Sequence, residues 1–313
     1  MKIIFMGTPD FAVGTLEGLI EAGHQVVLAV TQPDKPKGRG KAMQSPPVKV
    51  AAEAHNIPVF QPEKVRRPEC VEELKKYEPQ LIVVAAFGQI LPKEILEMPQ
   101  YGCINVHASL LPKYRGAAPI QWAVIEGEEY AGVTIMQMDV GLDTGDMISQ
   151  VKVKLDKKET GGSLFDKLAV AGASLCVQTI ADIEAGTAVR TKQSEEEATH
   201  VGMISKQMGE LDFSKPAAEL ERLIRGLNPW PSAYTWLNGK NLKIWEAETI
   251  PGGDPAMAGT VAGTDGSSIW INTGNGILVL KEVQLEGKKR MSCDAFLRGY
   301  EVVTGMYLGN NHK

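Results

Sequence analysis

Residues 80–87 read QLIVVAAF, an apolar run with no polar residue at alternate positions. A strand with one face in water alternates apolar and polar side chains, so a run without alternation is a strand covered on both faces. Working outward, KIIFMG (2–7), HQVVLAVT (24–31), IPVF (57–60) and GCINVH (102–107) are similar short runs. Between them lie helical patterns. DFAVGTLEGLIEAG (10–23) carries Phe11, Leu16, Leu19 and Ile20 on one side, with Asp10 as the expected cap and Gly23 as the stop. SPPVKVAAEAHN (45–56) is opened by Ser45 and two prolines, and CVEELKKYEP (70–79) follows. Strands alternating with helices predict an α/β fold, a Rossmann-like parallel sheet with helices on both faces. Ligands of such sheets bind at the carboxyl ends of the strands.

Farther along, AGVTIMQMD (131–139) and DMISQVKVKL (146–155) predict a hairpin, and SLFDKLAVAGASLCVQTIADIEAG (163–186) a long helix. The apolar side of that helix is expected at Leu164, Leu168, Ala171 and Leu175. Near residue 187 the chain turns polar and loses its period. Beyond it come the helical AAELERLIRGL (217–227), several short strand-like runs separated by glycines, and a closing helical CDAFLRGY (293–300). The expected division is a catalytic domain over 1–188, a linker over 189–208, and a small OB-like antiparallel β-barrel over 209–313. Trp236, Trp245 and Trp270 are expected in the core of the second domain, and Trp230 between its flanking prolines.

Composition narrows the class. The chain has 313 residues, 43% of them hydrophobic and 23% charged, enough for a sizeable core and unlike a disordered tail. A net charge of −5 gives no chain-wide basic signature, although a local patch is compatible with it. Cys70, Cys103, Cys176 and Cys293 are widely spaced, without a CxxC pair, and are expected as buried free thiols. No metal site is predicted. The apolar run at the N-terminus is too short for a signal peptide and no stretch reads as a membrane span, which predicts a cytoplasmic protein.

The chemistry-bearing residues gather at strand ends. Asn105 and His107 are two apart on one strand, so they share a face. MQMDVGLDTGDM (136–147) sets Asp139, Asp143 and Asp146 in a glycine-bearing loop after another strand. An amide, an imidazole and a carboxylate together can hold a carbonyl oxygen, stabilise its oxyanion and move protons. No serine or cysteine stands out as a nucleophile, which suits attack by an external amine on an acyl group. FMGTPDF lacks G-x-G-x-x-G and G-K-[ST], so Gly7 is read as a plain strand-to-helix turn whose loop lies at the sheet's carboxyl edge.

Five blocks in order, FMGTPDFA, QPDKPKGRGK, INVHASLLPKYRGAAPIQWAVIEGE, TIMQMDVGLDTGDM and LNPWPSAYT, resemble the methionyl-tRNA formyltransferases. The central block and the Asp143 loop are shared with the wider folate-dependent formyltransferase and hydrolase superfamily; QPDKPKGRGK and LNPWPSAYT narrow the likeness to the tRNA enzymes. The resemblance implies transfer of a formyl group from 10-formyltetrahydrofolate to the α-amine of methionine on initiator tRNA, by a monomer without a metal. It implies catalysis by Asn105, His107 and Asp143. It places folate against Ser109, Leu110, Leu111, Pro112, Phe87 and Gly88, and the substrate end against Gly7, Thr8 and Pro9. Lys35, Lys37, Arg39 and Lys41 would meet the acceptor end of the tRNA, with Arg39 foremost. A sugar-amine formyltransferase or a 10-formyltetrahydrofolate hydrolase is the rival reading.

Overall fold

The structure is a computed structural model that describes residues 1–37 and 42–309. The chain forms two compact units. The first comprises Met1–Pro119, Tyr130–Lys154 and Phe165–Val201, and the second Ile120–Glu129, Leu155–Leu164 and the residues from Gly202 onward.

In the first part of the chain the elements are β1 (Lys2–Gly7), α1 (Asp10–Glu21), β2 (Gln25–Val30), β3 (Lys35–Lys37), β4 (Ala42–Gln44), α2 (Pro47–Ala54) and β5 (Val59–Phe60). Then come α3 (Pro68–Lys75), β6 (Leu81–Ala85), α4 (Lys93–Leu96), β7 (Cys103–His107), β8 (Arg115–Gly116) and α5 (Pro119–Ile125). They are followed by β9 (Tyr130–Gln137), β10 (Met147–Lys154), α6 (Gly161–Ala185) and β11 (His200–Val201).

The main sheet runs β10-β9-β7-β6-β1-β2-β5. Its strands from β5 to β7 are parallel, as the unalternating runs predict, while β9 pairs antiparallel with both β7 and β10. Every residue of β6 is buried, as are Ile3, Ile4, Phe5 and Met6 of β1. One face packs Ile4, Met6, Leu28, Ile82 and Val84 against Val71 and Leu74 of α3 and Ile95 of α4. Elsewhere α1 meets α6 through small residues, Gly14 facing Ala173 and Gly18 facing Val177, with Phe11 edge-on to Phe165.

Four local expectations change. Asp10 does not cap α1, because Pro9 holds that position; Asp10 is the first helical residue, where its charge still favours the helix dipole. Ser45 does not cap α2, where Pro46 stands; its hydroxyl donates to Asp34 instead. The buried stripe of α6 runs through Leu164, Leu168, Gly172, Cys176 and Ile180, one position beyond the expected Ala171 and Leu175, which are half-buried at its edge. At 25 residues α6 is long and apolar enough to cross a membrane by length and composition, contrary to the sequence reading. Its apolar stripe is spent on protein: Gly172 lies against Val106 and Val133 of the sheet.

The segment expected as a free linker is partly ordered on the first unit. Thr191 bridges Met147, and His200–Val201 pairs in parallel with Arg115–Gly116. The compact units therefore meet in sequence at Val201 and Gly202, and residues 120–129 and 155–164 count with the second unit rather than the first. Within that unit Arg222 Nε donates to the Ile125 carbonyl at 3.0 Å, and Gly162 N to that of Asn228 at 2.9 Å.

The second unit adds α7 (Ala217–Gly226), β12 (Ala233–Leu237), β13 (Lys240–Ile250), β14 (Val261–Thr264), β15 (Ile269–Asn272), β16 (Ile277–Leu285), β17 (Met291–Ser292) and α8 (Cys293–Leu297). An antiparallel sheet runs β12-β13-β16-β15-β14, with β17 beside β16. Leu220 and Ile224 of α7 and Phe296 of α8 close its core. The tryptophans are not that core. Trp236, Trp245 and Trp270 are half-buried, each with its indole N–H on a polar partner: Glu210, Gln284 and Ser268. A buried indole needs such a partner, and the strand surface supplies it. Trp230 is 57% exposed, so it does not pack away between its prolines. All four cysteines are buried and free, as expected.

Candidate active site

β7 ends at His107, and its neighbours fix the level of that end. Val84 of β6 pairs with Asn105, and Thr134 of β9 with His107. The imidazole is 7% exposed and Asn105 half-buried. His107 Nε2 lies 3.0 Å from the Tyr114 carbonyl. A carbonyl only accepts, so Nε2 carries the hydrogen. Nδ1 then faces Asp143, whose Oδ1 is 3.8 Å away, within ion-pair range but beyond a direct hydrogen bond.

The Asp143 loop is held from inside. Asp139 Oδ1 accepts from Gly141 N at 3.0 Å and from Thr144 Oγ1 at 2.7 Å. Gly145 is required, because a Cβ there would sit 1.7 Å from the Gln137 carbonyl oxygen. Asp143 itself has φ of 54°, a left-handed conformation costly for a residue with a side chain. Its Oδ2 accepts from Gly116 N at 2.8 Å.

The SLLP segment is stiff. Ser109 Oγ donates to the Lys113 carbonyl at 2.7 Å. Thr134 Oγ1 donates to the Ser109 carbonyl at 2.7 Å and accepts from Leu111 N at 3.1 Å. Gln150 Nε2 reaches the Leu111 carbonyl at 2.9 Å. Ser109 and Leu111 are buried, and Leu110 and Pro112 half-buried.

A second cluster forms at the carboxyl ends of β1 and β6. Gly7 pairs with Ala85, and a Cβ on Gly7 would lie 2.7 Å from that of Ala12, so glycine lets α1 start close to the sheet. Thr8 Oγ1 donates to the Phe87 carbonyl at 3.1 Å, and Gln32 Nε2 to the carbonyls of Phe87 and Gly88 at 3.2 and 3.3 Å. Phe87 is 2% exposed, with its ring in the core and its carbonyl already accepting from Thr8 and Gln32. Pro9 completes this turn as the cap of α1.

The structure thus brings Asn105, His107, Asp143 and the SLLP segment into one cluster, and Gly7, Thr8, Pro9, Phe87 and Gly88 into another on the same edge. Lys35 is exposed on the β3–β4 hairpin, where the Lys37 backbone pairs with Ala42. Arg39 and Lys41 lie outside the described residues. No cluster of metal-ligating side chains occurs among the described residues.

Sequence reasoning missed the polar residues that hold these groups: Gln32, Thr134, Gln150, Arg115 and Gln193. Arg115 stands in the quoted RGAAP block but reads as a loop cation. It is 1% exposed, and its guanidinium grips Glu195 at 2.8 and 3.0 Å. Those hydrogen bonds hold the Glu195 carboxyl below its ordinary range.

The formyl transferase model matches residues 1–180, and the formyl transferase C-terminal domain model residues 203–301. A methionyl-tRNA formyltransferase of Agathobacter rectalis is 62% identical over 307 residues, covering 98% of this chain and 99% of that protein. The chain belongs to the methionyl-tRNA formyltransferase family. Within the family, the Bacillus subtilis member is 51% identical over 313 residues, 100% of this chain and 99% of that one. The fold recurs in the sugar 3N-formyl transferase WlaRD, solved with dTDP and 5-N-formyl-THF. Its TM-score is 0.66 at 20% identity, over 92% of this chain and 99% of that one. It recurs also in HypX of Aquifex aeolicus with tetrahydrofolic acid, with a TM-score of 0.63 at 16% identity, over 99% of this chain and 51% of that one.

Proposed function

We propose that this enzyme moves the formyl group of 10-formyltetrahydrofolate onto the α-amine of methionine carried by initiator tRNA, in the cytoplasm and as a monomer. The observation that carries this reading is end-to-end identity of 62% to a protein of that name. The sugar formyl transferases share the fold at 20% identity, which does not favour an amino-sugar acceptor.

In this reading the amine attacks the formyl carbon, the carbonyl oxygen becomes an oxyanion, and collapse of that tetrahedral intermediate breaks the bond from the formyl carbon to N10 and releases tetrahydrofolate. The Asn105 amide and the Nε2–H of His107, which in the free protein donates to Tyr114, turn to that oxygen. One such donor is worth about 3 kcal/mol in the transition state. Asp143 orients the imidazole from its other side and takes the proton that the attacking nitrogen sheds on its way to N10. The SLLP backbone and the Gly88 turn border the flat pterin, for which stiff main-chain polar groups are suited. Lys35, Lys37, Arg39 and Lys41 offer cations to the phosphates of the tRNA acceptor end. On this reading the first domain, expected over 1–188, does the chemistry, and the OB-like domain over 209–313 holds tRNA.

The test is formyl transfer from 10-formyltetrahydrofolate to methionyl initiator tRNA, run beside an amino-sugar acceptor and beside water. Formylmethionyl-tRNA as the dominant product is expected. Steady consumption of formyl-folate without it would discard the tRNA acceptor.

A further inference from the structure

Gln193 lies outside every motif read from the sequence, yet its amide nitrogen donates twice to the Asp143 loop of the candidate site. Its Nε2 donates to the carbonyls of Asp143 and Gly145, both at 2.8 Å. Its Oε1 accepts from Arg115 Nε at 3.0 Å. A guanidinium only donates, so Arg115 decides which way the amide faces. The NH₂ must then point at the loop. Arg115 cannot readily move, being 1% exposed and clamped twice by Glu195. The residue after Arg115 is Gly116, whose N–H donates to Asp143 Oδ2 at 2.8 Å. A ring of bonds therefore closes on Asp143, from its carbonyl through Gln193, Arg115 and Gly116 back to its carboxylate.

We propose that Gln193 is a positioning residue for Asp143, with Arg115 fixing the orientation of its amide. The inference rests on the reading of Asp143 as catalytic. Asp143 sits at φ of 54°, where an unsupported residue would relax. Two donors on the carbonyls at either end of Asp143–Gly145 keep the carboxylate turned toward His107.

The experiment is a double-mutant cycle on the full chain, with kcat and both KM values measured and single-turnover rates used for slow variants. Gln193→Leu is expected to lower kcat roughly ten- to hundredfold, as a small misplacement of a reacting group does. Both KM values should stay within about twofold. In an Asp143→Ala background the same change should alter kcat by less than about twofold, because nothing is left to position. Should Gln193→Leu fail to fold, Arg115→Lys keeps the buried cation but loses the planar fork that aims Gln193. It should show a smaller kcat loss that also vanishes in the Asp143→Ala background. An unchanged kcat, or equal losses in both backgrounds, overturns the inference in a working enzyme. A wild type that transfers nothing to methionyl-tRNA, or an Asp143→Ala with full kcat, overturns the functional reading and takes the inference with it.

Discussion

Asp143 stands 3.8 Å from His107 although the strand leading to its loop runs away from the histidine. Along β9, Thr134 pairs with His107 and Gln137 with Ile104, so the chain enters the loop at the far end of β7. The loop must therefore fold back along the sheet to return a carboxylate to the imidazole. That reversal depends on Gly145 passing the Gln137 carbonyl, where a Cβ would sit at 1.7 Å. A backbone oxygen cannot swing aside as a side chain can. Gly145→Ala is expected to displace the loop, lowering kcat by about two orders of magnitude. Stability should fall by only about 1–3 kcal/mol, because the clash is at the sheet's rim. Rate measurements beside a thermal melt check this; a normal kcat would show that the loop tolerates the shift.

The two ring nitrogens of His107 have different partners, and this separates the consequences of two substitutions. His107→Ala removes the donor meant for the oxyanion and is expected to cost about 10²–10³ in kcat. Asp143→Asn keeps the shape and the bond from Gly116 but removes the charge that accepts the proton. Its expected cost is about 10²–10⁴ in kcat, with the KM for both substrates nearly unchanged. Steady-state transfer assays of the two variants decide. Should either retain wild-type kcat, its assigned role fails.

Much of this site was legible because backbone periodicity carries it. Asn105 and His107 share a face by the two-residue repeat, and the unalternating QLIVVAAF places the neighbouring strand beside them. The Asp143 loop announced itself through its glycines. The residues that hold these groups were not legible, since their significance lies in burial and partners distant in sequence. No sequence pattern shows that the Arg115 guanidinium is buried, and nothing in TKQSEEEATH tells that Gln193 bonds to Asp143. The tryptophans misled for a related reason: a half-exposed sheet surface with polar neighbours satisfies an indole as well as a core does. The apolarity of α6, spread around a long helix, likewise hides which stripe is buried.

The basic loop should act on the tRNA and not on the folate. Lys35 lies exposed on its hairpin, as tRNA contact requires. Replacing Lys35, Arg39 and Lys41 together by alanine is expected to lower kcat/KM for methionyl-tRNA while the KM for formyl-folate holds. If the three cations each neutralise one phosphate of a single strand, the slope of log kcat/KM against log salt should flatten by about 2. Titration in potassium chloride measures it. An unchanged slope would remove the loop from the tRNA contact.

Burial of the cysteines ties stability to alkaline pH. Desolvation pushes the thiols of Cys103, Cys176 and Cys293 up from 9.0 to about 12. The unfolded chain releases these protons from about pH 9, while the folded chain keeps them. The stability held below pH 9 is therefore lost as pH rises toward 12, at about 1.4 kcal/mol per pH unit for each thiol. Cys176→Ala, which removes one of the three, should make the decline shallower by about that amount per unit, whatever it does to absolute stability. Urea unfolding of wild type and variant at pH 8, 9.5 and 10.5 compares the slopes. Parallel declines would mean that Cys176 titrates alike in both states. At neutral pH the same burial leaves Cys176 a thiol, so thiol reagents should modify it only as fast as the protein opens.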